Sequence, residues 1–231
     1  MQTVLDHIEE RRETFRQAPF FQFLHSPQDD PVRTLGFVKH AAYFIMAFAD
    51  LNHYALRSLG PNDRWQARQA VEDTHHWPWF LDDLAALGLD DIQPFSETLR
   101  FLWSEDNRAA RLLPYRLWSM AERADPLERV VIIEAIEAAG EVFCRAMAGI
   151  ADRIPPVPLG QKLHYVAETR HFAVEHDADG SHEEALHGGN DVTLEVDPAL
   201  RARHLALVSE VFDHFTALID ELHVHARRIA A

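Results

Sequence analysis

Three stretches of this 231-residue chain carry carboxylate and imidazole side chains three or four residues apart. Residues at this spacing lie on one face of an α-helix, so each stretch can direct two or more side chains toward a shared point. The pattern predicts a helix bundle in which three such faces converge. The three groups are Glu72, His75 and His76; Glu134, Glu137 and Glu141; and Glu168, His171, Glu175, Asp179 and His182.

The side chains in these groups indicate which metal such a bundle would bind. Carboxylates and imidazoles suit iron or manganese, whereas thiolates favour zinc or iron–sulfur clusters. Cys144 is the only cysteine, so neither a thiolate-rich site nor an intrachain disulfide framework can form. We therefore predict a carboxylate-bridged site for two metal ions.

A single cysteine also fits a reducing compartment, and the charged amino-terminal stretch does not resemble a signal peptide, so we predict a cytoplasmic protein.

The overall composition limits the class of partner. The formal net charge of −15 opposes binding to nucleic acids or to anionic membranes, because neutralising phosphates requires clustered Lys and Arg. A small-molecule substrate is therefore predicted. The chain has no glycine-rich phosphate loop, Gly-x-Ser-x-Gly motif or Cys-x-x-Cys motif. With 47% apolar residues, residues 1–231 can form a single domain around one core.

Apolar residues recur with helical spacing along almost the whole chain, which predicts an all-α fold. Gly88 is expected to end the third helix, and Pro78 to kink or interrupt it. Asp125 and Pro126 have the pattern of a helix start. The predicted helices are 3–17, 32–59, 64–87, 96–103, 111–122, 126–151, one beginning near 161, and 198–228.

Glu137 falls inside the apolar stripe of the helix predicted over 126–151. Burying an unpaired carboxylate costs several kcal/mol, so a metal ion, an arginine or protonation must compensate its charge. Glu134 and Glu141 lie at the margin of the same face, and either is an alternative ligand.

The third group of ligands allows two registers on its helix. One uses His171, Glu175 and His182, which we favour, and the other uses Glu175, Asp179 and His182. The spacing of histidines 214, 223 and 225 on the last helix is irregular, which favours a solvated or structural role for them.

Taken together, Glu72-x-x-His75, Glu137, and His171-x-x-x-Glu175 followed by His182 resemble the heme-oxygenase-like di-metal oxidases, over most of the chain and in helix order. The resemblance implies a single-domain seven-helix bundle that holds two Fe2+ ions, or Mn2+ in some members, and activates O2. It assigns Glu72 and His75 as the first ligand pair and Glu137 as the bridging carboxylate.

The same resemblance assigns His171 and Glu175 as the first two members of the third helix's motif, and here this chain departs from the family. The third member would fall at Ala178, so either His182 reaches in from one turn later or the register shifts to Glu175, Asp179 and His182. Either arrangement affects how the second metal ion is held.

From the family's chemistry we expect N-oxygenation of a small amine in secondary metabolism. Oxidative decarboxylation, desaturation or C–C cleavage at the same site is the alternative. We also expect an external electron donor and a homodimer as partners.

Two other hypotheses remain open. In a ferritin-like bundle the ligands would be Asp50, Glu72, His75, Glu137, Glu168 and His171. In a metal-free helical binding protein the histidine and glutamate clusters would lie on the surface.

Overall fold

The computed structural model describes residues 3–27, 30–56, 76–154, 163 and 197–230, and all regular structure within these ranges is helical. The all-α prediction is therefore confirmed. The α-helices are α1 (Val4–Arg16), α2 (Pro19–His25), α3 (Pro31–Thr34), α4 (Val38–Asp50), α5 (His76–Ala86), α6 (Phe95–Leu102), α7 (Arg108–Arg123), α8 (Pro126–Ala151) and α9 (Pro198–Ala230). Short 3-10 helices span Leu35–Phe37 and Glu105–Asn107, and a π-helix spans Leu51–Leu56.

Local capping residues fix the first turns of α1 and α8. Thr3 and Asp6 exchange hydrogen bonds between side chain and backbone at the start of α1. Asp125 and Glu128 do the same at the start of α8, and Pro126 occupies its first position. Because these capping boxes satisfy backbone N–H groups that a helix leaves free, both helices begin where the sequence predicts.

The helix predicted over 32–59 is not one regular α-helix, so that prediction was wrong in its described part. A 3-10 turn separates α3 from α4, and a π-helix follows α4. Within the 3-10 turn, Gly36 lies against Ile229 of α9, whose side-chain carbons would be 3.4 Å from an added Cβ. Apolar spacing over a few residues does not distinguish these local changes of winding from α-helix, because all three helix types repeat every three to five residues.

The core forms around α9, which packs against α8, α1 and α7. Helix α1 runs parallel to α9, since His7 bonds Ser209 and Arg11 pairs with Asp213. Helix α7 runs antiparallel to α9. Its first turn is capped by Glu221 of α9, which accepts hydrogen bonds from the backbone N–H groups of residues 109 and 110 at 2.6 and 3.1 Å.

Gly88 ends α5 in the left-handed conformation (φ 67°), as predicted. The sequence could predict that Gly88 ends this helix because glycine adopts the left-handed conformation without a steric penalty. The kink predicted at Pro78 would change the direction of the helix between the residues before and after it. The residues before His76 lie outside the described ranges, so the kink stays a prediction. No helix in the described ranges is both long enough and apolar enough to cross a membrane.

Candidate metal-binding face of α8

Glu137 lies on a strip of α8 formed by Ile133, Glu137, Gly140 and Cys144, which we call the Glu137 strip. These residues are three or four apart and therefore share one side of the helix. Ile133 is buried, while the other three are partly exposed, so the strip runs along the edge of the core. The sequence predicted Glu137 inside the apolar stripe of this helix. The structure places it at the edge instead, because the fully buried side of α8 is formed by Ile132, Ala135 and Ala139.

Gly140, near Glu137 on this strip, has no close neighbour among the residues that the structure describes. No atom of the described residues lies within 4 Å of the position that a Cβ would take at Gly140, one turn along the helix. The described helices therefore leave this part of α8 uncovered, next to the carboxylate that a metal ion would need to reach.

Glu141 has its negative charge compensated by two arginines. Its Oε2 accepts a hydrogen bond from Nη1 of Arg12 at 2.9 Å, and its Oε1 pairs with Nη2 of Arg145 at 2.6 Å. One of the two guanidinium groups comes from α1 and the other from α8 itself. Glu134 and Glu137 take part in polar or electrostatic interactions as well. A cation bound at Glu141 would have to displace both guanidinium groups from its carboxylate.

The pKa of the Cys144 thiol shows the effect of the carboxylates near the Glu137 strip. Burial, together with the negative charges of Glu137 and Glu141, raises the pKa of this thiol to about 12. The thiol is therefore protonated at neutral pH and serves neither as a nucleophile nor as a thiolate ligand. The same carboxylates that disfavour a thiolate favour a bound cation.

We expect Cys144 in the folded protein to react with a disulfide reagent at pH 8 about 1,000-fold more slowly than an unhindered thiol of ordinary pKa, because so little of it is thiolate. The measurement is the rate of colour release from the aromatic disulfide reagent DTNB. Unfolding in guanidinium chloride is the control and should restore a normal rate. A fast reaction of the native protein would show that the strip does not raise the thiol pKa.

Six of the seven predicted ligands lie outside the described residues: Glu72, His75, His171, Glu175, Asp179 and His182. Glu137 is the one whose position is described. Within the described ranges, no group of three or more His, Cys, Asp or Glu side chains is close enough together to hold a metal ion. The convergence of the three ligand groups therefore stays a prediction.

Asp50, the first carboxylate of the ferritin-like alternative, is exposed at the end of α4. A bridging ligand in a bundle core has to point inward from its helix. The exposure of Asp50 therefore counts against that alternative.

The histidines of α9 make structural contacts, in line with the role predicted for them. His225 is buried, its Nε2 donates a hydrogen bond to the carbonyl of Asp106 at 2.8 Å, and its ring stacks on His40 with centroids 3.4 Å apart. His214 lies near Glu210 and Arg116. His223 packs its ring against Phe20 and Phe23. The pairing of His40 with His225 could not be predicted from local sequence patterns, because the two residues are 185 positions apart.

Comparisons with known proteins identify the fold and nothing finer. No family model matches the chain. No curated protein matches it either. Among solved structures, it is similar to a TenA homolog from Pseudomonas syringae pv. tomato str. DC3000, with a TM-score of 0.61 and 11% sequence identity. The match covers 95% of this chain and 90% of that protein. At this identity the likeness shows a shared all-α fold over nearly the full length of both chains.

Proposed function

We propose that this chain is a non-heme di-iron oxidase or oxygenase that uses O2 to oxidise a small molecule in the cytoplasm. The observation that carries the proposal is the position of Glu137, a partly buried carboxylate on a strip of α8 that the described helices leave uncovered. Glu137 occupies the middle position in the sequence of Glu-x-x-His, Glu and His-x-x-x-Glu groups.

The donor set fits iron or manganese, since it consists of carboxylates and imidazoles. When bound, the metal pair would supply the electrons for O2 reduction, with an external donor restoring them. Glu137 would contribute negative charge to the site, and the buried apolar residue Ile133 lies one helical turn before it. The residues that would hold the metal ions are Glu72, His75, Glu137, His171, Glu175 and His182, with Asp179 in the second register.

The charge of the chain supports an amine as the substrate. A net charge of −15 attracts cations and repels anions over the protein surface. A protonated amine is therefore favoured over a fatty acid carboxylate. N-oxygenation of a small amine is accordingly the reaction we propose first.

The test is to load the purified protein with Fe(II) without oxygen, remove unbound metal, and measure iron per chain and subsequent O2 uptake. We expect about two iron ions per chain for the wild type, the content of di-iron bundles. Glu137→Ala is expected to lose bound iron and O2 uptake. Glu141→Gln, a change one helical turn away, is the matched control and is expected to keep both.

Circular dichroism of each variant verifies that the helices remain folded. Iron content at background level in the wild type would refute the oxidase proposal and favour a metal-free helical binding protein. Full iron content in Glu137→Ala together with loss in Glu134→Ala would move the bridging role to Glu134.

A further inference from the structure

Helix α6 is held to the bundle at its carboxyl end. None of its residues is buried, and its last two, Phe101 and Leu102, are half-buried. The Phe101 ring contacts the His40 ring of α4, with centroids 4.9 Å apart, and the Phe101 carbonyl accepts a hydrogen bond from Nδ2 of Asn107 at 2.6 Å. Arg111 of α7 binds two further carbonyls at this end. A helix with so little buried surface can detach without unfolding the rest of a fold, so these contacts decide whether α6 stays docked.

Two histidine rings bind the 3-10 helix Glu105–Asn107, which follows α6 and which we call the 105–107 turn. Nδ1 of His40 is hydrogen-bonded to Oδ1 of Asn107, and Nε2 of His225 on α9 is hydrogen-bonded to the carbonyl of Asp106. The two rings lie face to face, with centroids 3.4 Å apart and 5° between their planes. The His40–His225 stack therefore connects α4 and α9 to the turn that anchors α6.

The hydrogen bonds fix the protonation state in which the rings stack. Asn107 donates from Nδ2 to a carbonyl, so its Oδ1 faces His40, and Nδ1 of His40 carries the proton of that bond. Nε2 of His225 likewise donates, because a carbonyl can only accept. Each neutral ring thus uses its one N–H, and its other nitrogen is free of a proton. A proton added there would place a positive charge against the face of the other ring, which two neutral rings avoid.

The charges around the stack compensate an added proton poorly. On α4 it is flanked by Lys39, whose positive charge disfavours protonation. Asp106 of the turn favours protonation, but its carboxylate is also 3.6 Å from Arg228 of α9. From α7, Arg111 adds a positive charge beside the turn, and from α6 the contact is the uncharged Phe101 ring. Among the described residues, these charges are mixed in sign, and the negative one is shared with an arginine.

We propose that the His40–His225 stack is a proton-sensitive latch: when it takes up a proton, the 105–107 turn and α6 detach while the rest of the bundle stays folded. The direction follows from proton binding in the two states. Burial lowers the pKa of docked His40 from 6.5 to about 4, whereas a ring released into water returns to its ordinary pKa. The released state therefore binds a proton that the docked state does not, and the latch weakens as the pH falls from 6.5 toward 4.

Hydrogen–deuterium exchange of the full chain at pH 7, 6.5 and 5 tests the latch. Protection factors, which compare each amide with an unstructured peptide at the same pH, remove the intrinsic effect of pH on exchange. The relevant amides include those of residues 103, 104 and 107, which are hydrogen-bonded in the docked structure. We expect their protection to fall about 10-fold between pH 6.5 and 5. Amides of α1 report global unfolding and are expected to stay at least 100-fold better protected at every pH.

Three variants separate the latch from general effects of acid. His40→Gln is expected to make the protection of residues 103–107 independent of pH. His225→Phe keeps a ring for stacking but loses the hydrogen bond to the turn, so it should lower this protection about 5-fold at pH 7. His214→Gln is the matched control, a histidine of α9 whose pKa is also lowered by burial, and should leave the pH dependence of these residues unchanged.

Three results would overturn the latch. The first is protection of residues 103–107 that does not change between pH 7 and 5 in the wild type. The second is equal protection of these residues and of α1, since α6 would then open only when the whole chain unfolds. The third is wild-type behaviour of both His40→Gln and His225→Phe. Circular dichroism verifies that each variant is folded, and the His225→Phe measurement at pH 7 tests the stack without any titration.

Discussion

Replacing Arg203 by methionine is expected to lower the free energy of unfolding by about 3 kcal/mol, because it leaves the Glu128 carboxylate buried without its counter-charge. Glu128 is only 1% exposed at the start of α8. Its Oε2 accepts a hydrogen bond from Nη2 of Arg203 at 3.0 Å, and its Oε1 pairs with Nε of the same guanidinium group. One donor would remain, the backbone N–H of Asp125 at 2.9 Å. We expect the low end of the range for buried pairs because the Arg203 side chain is itself 61% exposed.

Urea unfolding followed by circular dichroism measures this change. Arg16→Met is the matched control, because Arg16 and Glu13 form a pair in which both side chains are about half exposed. That control should change stability by less than about 0.5 kcal/mol. Replacing both Glu128 and Arg203 by methionine should be less destabilising than the sum of the two single changes, since no buried charge then remains. A loss below about 0.5 kcal/mol for Arg203→Met would show that the pair does not stabilise the fold.

This ion pair illustrates which parts of the fold the sequence reveals. The start of α8 was predictable from Asp125 and Pro126, because capping depends on neighbours within one turn. The pairing of Glu128 with Arg203 was not, because it depends on how α8 and α9 are aligned, 75 residues apart. Helix ends are local properties, whereas contacts between helices require the tertiary arrangement.

The candidate metal site likewise combines features that depend on neighbouring residues with contacts that depend on the tertiary arrangement. The period of apolar residues along α8 predicted Glu137 inside the apolar stripe, and the structure places it at the edge of the core. The pairing of Glu141 with Arg12 could not be predicted, because Arg12 reaches it from α1 across 129 residues. The ligands expected on the other two stretches lie outside the described residues, and their convergence stays a prediction.

Lowering the pH from 6.5 to 4 is expected to remove about 1 to 2 kcal/mol of stability through His40, less than its full pKa shift would give, because solvent screens the partly exposed ring. Its Nδ1 is hydrogen-bonded to Oδ1 of Asn107, and its ring stacks on His225 with an angle of 5° between the planes. Burial lowers the pKa of His40 from 6.5 to about 4, outweighing the hydrogen bond to Asn107, which acts in the opposite direction. Smaller contributions to this value come from the charges of His225 and Lys39, which lower the pKa, and from that of Asp106, which raises it.

The direction of the effect follows from the proton balance. Because the folded-state pKa lies below the unfolded value of 6.5, the unfolded chain takes up a proton between pH 6.5 and 4 that the folded chain does not. The contribution of His40 is therefore fully present above pH 6.5 and is lost as the pH falls through this window. Protonation would also place a positive charge against the stacked ring of His225.

Urea unfolding of the wild type and of His40→Gln at pH 8, 6.5, 5 and 4 isolates this contribution. Burial also lowers the pKa of His214 and of His223, so the wild type should lose stability through those groups as well. The difference between the two proteins is therefore the quantity to measure, and it should shrink as the pH falls. Asp91→Asn is the control, because Lys39 lowers the pKa of this exposed carboxyl, which places most of its titration below pH 4. The free energy of unfolding could instead differ between the wild type and His40→Gln by the same amount at every pH. That result would show that His40 does not titrate with a lowered pKa. Its contacts with Asn107 and His225 would then contribute packing alone.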